Sequence, residues 1–374
     1  PLWRMLASHP DLDVKVFYFS DHSIRGGIDK GFGRSVAWDI DMTSGYQSEF
    51  LSRHATLDQP SSVSIPNALG LLRRERPDWI LIAGYTYRFE HQLRLLAPLV
   101  GARLMIRGEQ TSLSLDGRGP LKALARAAFL RVFYRGISAF CYPGTLGREH
   151  LQSFGVPASK LFFSPYSVDD TLIRSALDSV QRSEARRALG IPDDRFVFVL
   201  SGKIYPGKDP FAILDAIEAM PRSQQVGLIV LGDGEQRAPF EARAKQVLGE
   251  RLIFAGFVNQ SQLGRYFIAA DALVLTSKRE TWGLVVNEAM HYGLPVITND
   301  RVGCNPDLIK PGETGYLYPC GDTRALANAM QQLVDDRERS SAMGAAAKRH
   351  IDANYSCAAS ARGIFQAFGV KDHA

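Results

Sequence analysis

Short uninterrupted apolar runs, each followed by a longer stretch with helical spacing, recur along this chain and leave few folds open to it. Strand-length runs at 14–19, 79–83 and 103–106 are interleaved with helix-length segments at 63–74 and 88–99. After Ser164-Pro165-Tyr166-Ser167-Val168-Asp169-Asp170 the alternation begins again, with apolar runs at 196–200, 227–231, 252–254, 272–275 and 295–298. Strands alternating with helices predict βαβ units, and hence a parallel sheet covered on both faces. Two such series predict an α/β protein of two Rossmann-like, doubly wound domains. The expected boundaries are 1–170 for the first domain, 171–194 for a linker, 195–357 for the second domain, and 358–374 for a last helix packing back on the first. A length of 374 residues agrees with two domains of about 100–200 residues each. The sequence opens on Pro1 rather than Met, with a helix-like stretch running into the 14–19 strand, so the first domain is expected to lack its first strand.

Composition narrows the class. With 45% hydrophobic and 22% charged residues the chain has ample material for a core, which excludes intrinsic disorder. An excess of 44 Lys and Arg over 39 Asp and Glu is too mild to argue for nucleic acid as a partner, but it keeps smaller anions in play. No apolar run approaches the roughly 20 residues that span a bilayer, so a cytoplasmic protein is expected, with the inner face of the membrane as a second location. Cys141, Cys304, Cys320 and Cys357 form no Cys-x-x-Cys pair and read as buried thiols.

In open α/β sheets ligands sit beyond the carboxyl ends of the strands. The most informative loop follows the 272–275 run: Thr276-Ser277-Lys278-Arg279-Glu280-Thr281-Trp282-Gly283-Leu284-Val285-Val286-Asn287-Glu288. A helix opening near Gly283 turns the N–H groups of Gly283, Leu284 and Val285 toward any anion placed there. Glu288 shares a helical face with Leu284 and Val285, and its carboxylate suits vicinal hydroxyls such as a ribose diol. Glu280, in the preceding loop, can hold sugar hydroxyls; the residues alone leave open that both are ordinary surface acids. The loop after 196–200, Ser201-Gly202-Lys203-Ile204-Tyr205-Pro206-Gly207-Lys208, offers two ammonium groups for a diphosphate, or two solvated lysines. Gly232-Asp233-Gly234 closes the next strand with a turn that allows close backbone approach, and Gly256-Phe257-Val258 can flank a nucleobase or fill the core.

Taken together and in this order, these elements resemble the retaining GT-B glycosyltransferases of family 4. The matched pattern is Glu-x7-Glu, here Glu280 and Glu288, followed by Gly293-Leu294-Pro295-Val296-Ile297 and Gly312-Glu313-Thr314-Gly315-Tyr316-Leu317. The similarity is strong over 196–332 and architectural elsewhere. It implies two domains facing each other across a cleft, a UDP- or GDP-linked sugar held by the second domain, and a carbohydrate or lipid-linked acceptor near the first. It places Lys203 and Lys208 on the diphosphate, Glu288 on the ribose, Glu280 on the transferred sugar, and Gly202, Gly232, Asp233, Gly234, Phe257, Val258, Trp282, Gly283, Leu284 and Val285 around the donor. Lys203 departs from the family's usual Arg and loses its fork of donors. No metal and no further cofactor are implied. A nucleotide-sugar epimerase of the same fold and a non-catalytic sugar-nucleotide or polysaccharide binder are the alternatives.

The first half is less informative. Where the family commonly carries a His, the chain has Met105-Ile106-Arg107-Gly108-Glu109-Gln110, so Arg107 and Glu109 are the acceptor-side candidates, with an Arg–Glu pair anchoring a loop as the plainer reading. From Gly117 to Arg148 there is no acidic residue, while Arg118, Lys122, Arg126, Arg131, Arg135 and Arg148 are present. A helix over 118–135 with Leu121, Leu124, Ala125, Ala128 and Val132 on one face can rest on an anionic membrane or pack on the sheet. Asp39-Ile40-Asp41 is one Asp-x-Asp expected by chance and reads as part of an alternating edge strand over 38–42; it is given no metal.

Overall fold

The protein is described by a computed structural model covering residues 1–21, 24, 26–29, 34–51, 62–111 and 120–372. The chain divides into two compact units, residues 1–22, 42–166 and 357–374 in the first and residues 23–41 and 167–356 in the second. In the first unit β1 (Lys15–Tyr18) pairs in parallel with β4 (Gln47–Phe50), and β2 (Gly27–Asp29) and β3 (Arg34–Val36), counted with the second unit, form an antiparallel pair. β5 (Trp79–Ile82), β6 (Arg103–Arg107), β7 (Ala139–Tyr142) and β8 (Leu161–Phe163) make a four-stranded parallel sheet in that order.

One face of that sheet packs on the helices Ala68–Glu75, Arg88–Leu96 and Pro120–Arg135 through Leu72, Leu93, Leu130 and Phe133. Against Met105 and Cys141 pack the helices Leu2–Ala7 and Cys357–Phe368, through Leu6, Ile364 and Phe365. The last helix approaches so closely that a Cβ at Gly363 would lie 1.9 Å from the Phe163 carbonyl oxygen.

The second unit is built on one six-stranded parallel sheet of β9 (Phe196–Ser201), β10 (Val226–Leu231), β11 (Leu252–Gly256), β12 (Ala272–Leu275), β13 (Val296–Asn299) and β14 (Gly315–Tyr318). Their spatial order is β11-β10-β9-β12-β13-β14. This is the doubly wound order, and it reverses direction between β9 and β12. β10 and β12 are buried along their whole length and β9 along all but its last residue, which is why these strands read as continuous apolar runs rather than alternating ones.

Several expectations change. Residues 171–194 are not a linker: the helices Asp170–Ser179 and Arg182–Ala188 belong to the second unit, and the division falls after Tyr166. Arg186, almost fully buried, donates to the carbonyls of Ala269, Pro192 and Arg195 at 3.0, 2.7 and 2.6 Å, and so ties the second of these helices to the sheet. Residues 38–42 form no strand. Instead the Asp39 carboxylate accepts from the backbone N–H and hydroxyl of Ser261, at the start of the helix Gln260–Ala269. That is a capping role.

Candidate active site at the sheet reversal

The loops that leave β9 and β12 emerge side by side at the point where strand order reverses. They are stitched together. The Lys278 N–H donates to the Gly207 carbonyl at 3.0 Å and the Thr276 hydroxyl to the Lys208 carbonyl at 2.8 Å. Across this seam the Lys208 ammonium forms an ion pair with Glu280 Oε2, which also accepts from the Ser277 hydroxyl at 3.3 Å. The Glu280 backbone is fixed on both sides, its N–H donating to the Arg301 carbonyl and its carbonyl accepting from Gly303 N–H, each at 3.0 Å. With side-chain exposures of 23% and 18%, Lys208 and Glu280 are held by the protein yet open to a ligand.

Directly after this loop the helix Leu284–His291 begins. Gly283 caps it at φ 97°, a conformation that favours glycine, and no side chain occupies the cap. A Cβ there would also sit 3.3 Å from Glu280 Cγ. The first-turn amides therefore face the same end of the sheet as Lys208, as anion binding requires. Glu288, just over one turn on and half-buried, is hydrogen-bonded to the side chain of Gln260. Burial pushes its carboxyl up to about 7, and the Gln260 hydrogen bond opposes part of that rise.

Other expected donor residues take supporting places. Trp282 is 2% exposed, donates its indole N–H to Asn287 Oδ1 at 2.9 Å, and lies beside Tyr355, so its side chain faces the core rather than a ligand. Gly232 donates its N–H to the Gly256 carbonyl at 2.7 Å, and a Cβ on it would meet the Gly202 carbonyl at 1.9 Å. A Cβ on Gly234 would meet the Ile204 carbonyl at 2.4 Å. These glycines let the loops after β9 and β10 touch. Asp233 accepts from the Gly234 N–H and from Arg237, at 2.9 and 2.7 Å, which folds its own loop. Lys203, Phe257, Val258 and Val285 are half-buried, and Leu284 is exposed.

On the first unit, Arg107 is tied into the fold. Its guanidinium donates to Ser164 Oγ, the Pro165 carbonyl and Ser360 Oγ at 3.1, 3.3 and 2.9 Å and stacks over Tyr166, so it anchors the last helix, the plainer of the two roles expected of it. Glu109 is exposed.

Ser277, Gln260 and Trp38 were not anticipated. Trp38 lies 6.2 Å from the Phe257 ring, a contact between residues more than two hundred positions apart that no local pattern carries. Ser277 stands inside the motif, three residues before Glu280, and that spacing was the available signal.

Residues 181–350 match the family described as glycosyl transferases group 1. The chain is similar to D-inositol 3-phosphate glycosyltransferase of Streptomyces avermitilis, 34% identical over 183 residues, which is 46% of this chain and 39% of that protein. The chain thus spans less than half the length of that curated relative. Among solved structures, sucrose-phosphate synthase of Thermosynechococcus elongatus superposes with a TM-score of 0.71 at 20% identity, over 98% of this chain and 91% of its own. HepE of Anabaena, in a complex with UDP and glucose, superposes with a TM-score of 0.66 at 18% identity, over 87% and 86%. The fold is that of the GT-B glycosyltransferases. The Glu280 loop and the helix bearing Glu288 both lie inside the matched segment.

Proposed function

We propose that the chain is a retaining glycosyltransferase of family 4 that moves a sugar from a nucleoside diphosphate, UDP- or GDP-linked, to a carbohydrate or lipid-linked acceptor. The observation that carries this reading is the Lys208–Glu280 ion pair standing before the uncapped start of the helix Leu284–His291, at the sheet's topological switch point. A diphosphate seated there meets Lys208 and the amides of Leu284 and Val285, with Lys203 on the same loop. Its charge grows as the bond to the sugar breaks, and these donors stabilise that charge without a metal. Glu288 accepts from the ribose hydroxyls. Glu280 turns toward the sugar once the phosphate draws Lys208 away. Positioning and charge stabilisation carry the catalysis, and no enzyme nucleophile is assigned.

Support comes also from HepE, a similar fold that holds UDP and glucose, and from a relative named for transfer to an inositol phosphate. Surface polysaccharide or glycolipid assembly on the cytoplasmic side of a membrane is the setting we infer. The test is to incubate UDP- and GDP-sugars with the protein, with and without candidate acceptors, and to follow the anomeric carbon by NMR. Transfer or slow donor hydrolysis with retained configuration is expected. Inverted product, or an isomerised donor sugar in the absence of acceptor, contradicts the reading.

A further inference from the structure

The helix Pro120–Arg135 is apolar on two opposite sides. One side, Leu130, Phe133 and Tyr134, enters the core of the first unit. A helix apolar all round is ordinarily buried all round. Here the other side is open. Leu121, Leu124 and Val132 are 82, 68 and 62% exposed, and Ala125 and Ala128 lie between them, also exposed. Of the eleven large apolar side chains exposed among the described residues, four lie on this helix, Phe129 being the fourth. Two more, Leu95 and Leu99, follow on the neighbouring segment, which is joined to the helix by Arg94 Nε donating to the Phe133 carbonyl at 3.1 Å and by His91 against Phe129 and Phe133.

What covers such a face is indicated by its charge. Lys122, Arg131 and Arg135 are exposed around it, and the stretch from Gly117 to Arg148 contains no acidic residue. Arg135 lies within the apolar face itself, where a protein partner would have to desolvate a guanidinium. At a lipid surface its stem lies among the acyl chains and its head reaches the phosphates. Basic side chains rimming exposed leucines on one helix are what an interfacial helix needs to lie in an anionic bilayer surface. Arg118 lies outside the described residues.

We infer that this face of the first unit docks on an anionic membrane, with Leu121, Leu124 and Val132 entering the interface and Lys122, Arg131 and Arg135 meeting lipid phosphates. The placement deepens the proposed setting of the reaction but needs neither donor nor acceptor, so each can fail alone.

The test is co-sedimentation of the full chain with phosphatidylcholine vesicles, with and without about one-third phosphatidylglycerol. Binding is expected to the anionic vesicles only, and to weaken as salt is raised. The triple variant Leu121→Glu, Leu124→Glu, Val132→Glu should lower partitioning at least about tenfold, and Lys122→Glu, Arg131→Glu, Arg135→Glu should remove its salt dependence, both with an unchanged unfolding midpoint because all six side chains are exposed. Absence of binding to anionic vesicles, or equal binding by the leucine-face variant, overturns the proposal. So does a dimer in sedimentation velocity that the same variant dissociates, since the face would then cover a second copy.

Discussion

Lys208 and Glu280, 72 residues apart in sequence, form an ion pair that bridges the loops leaving β9 and β12. Each was expected to contact the donor, and each is also the other's partner. Glu280 is thereby held in place while both side chains stay partly exposed. A double-mutant cycle with Lys208→Ala and Glu280→Ala should show a coupling of about 1 kcal/mol in unfolding free energy, as expected for side chains in direct contact and partly solvated. On catalysis the double variant should lose less than the sum of the two single losses, with Glu280→Gln lowering turnover about a hundredfold or more and nucleotide affinity little, because the carboxylate acts after the phosphate has bound. Steady-state rates and nucleotide dissociation constants on the same variants check both.

Glu288 gives the expected pH dependence. Its folded value, about 7, lies above the unfolded carboxyl, so between roughly pH 4.5 and 7 the folded state binds more protons and stability contributed by this group falls as pH rises. In the proposed site ribose hydroxyls would donate to the ionised form. Nucleotide affinity should therefore rise through pH 7, and Glu288→Gln should abolish the part of that rise that the nucleotide's own phosphate does not supply. Replacing Gln260 with Leu should move the midpoint upward, since its hydrogen bond holds the carboxyl down. Calorimetric titration with UDP from pH 5.5 to 8.5 measures all three.

Arg107→Ala should destabilise the protein by about 2–4 kcal/mol, because three buried or half-buried hydrogen bonds to Ser164, Pro165 and Ser360 are lost together. Lys should not rescue it, having no planar fork to reach three acceptors. Denaturant unfolding measures this anchoring, and nucleotide affinity, which belongs to the second unit, should be unchanged.

Trp282→Phe should cost about 1–3 kcal/mol, leaving the carboxamide of fully buried Asn287 without its indole donor, and should leave nucleotide binding nearly intact. Thermal unfolding and a binding isotherm decide between this core role and a ligand contact.

The second unit was legible because its chemistry is local. Its strands announce themselves as buried apolar runs such as Phe196-Val197-Phe198-Val199, and Glu280 and Glu288 are fixed in space by one loop and one helix. The burial of Trp282 was not legible because sequence spacing gives neighbours along the chain but not the side to which an indole turns; the ring lies beside Tyr355, 73 residues away. The partners that anchor Arg107 were illegible for the same reason, Ser164 and Ser360 lying 57 and 253 residues away. The short strands β7, β8 and β14 were not anticipated because none contains the Val or Ile that marks the equally short β5, β12 and β13 as strands. On the helix Pro120–Arg135 the expected apolar face was identified, but only the structure shows that Leu130 and Phe133, on the opposite side, are the ones that enter the core.

Titrating UDP, GDP, ADP and CMP into the protein and into Glu288→Ala, while following the unfolding temperature and the heat of binding, tests whether a nucleoside diphosphate binds at the reversal between β9 and β12. One nucleoside diphosphate should bind, adding about 2.7 kcal/mol of stability at a hundred times its dissociation constant, and the variant should lose that gain. If no nucleotide binds the unaltered chain, or if one binds equally well without the Glu288 carboxylate, the site is not where we place it.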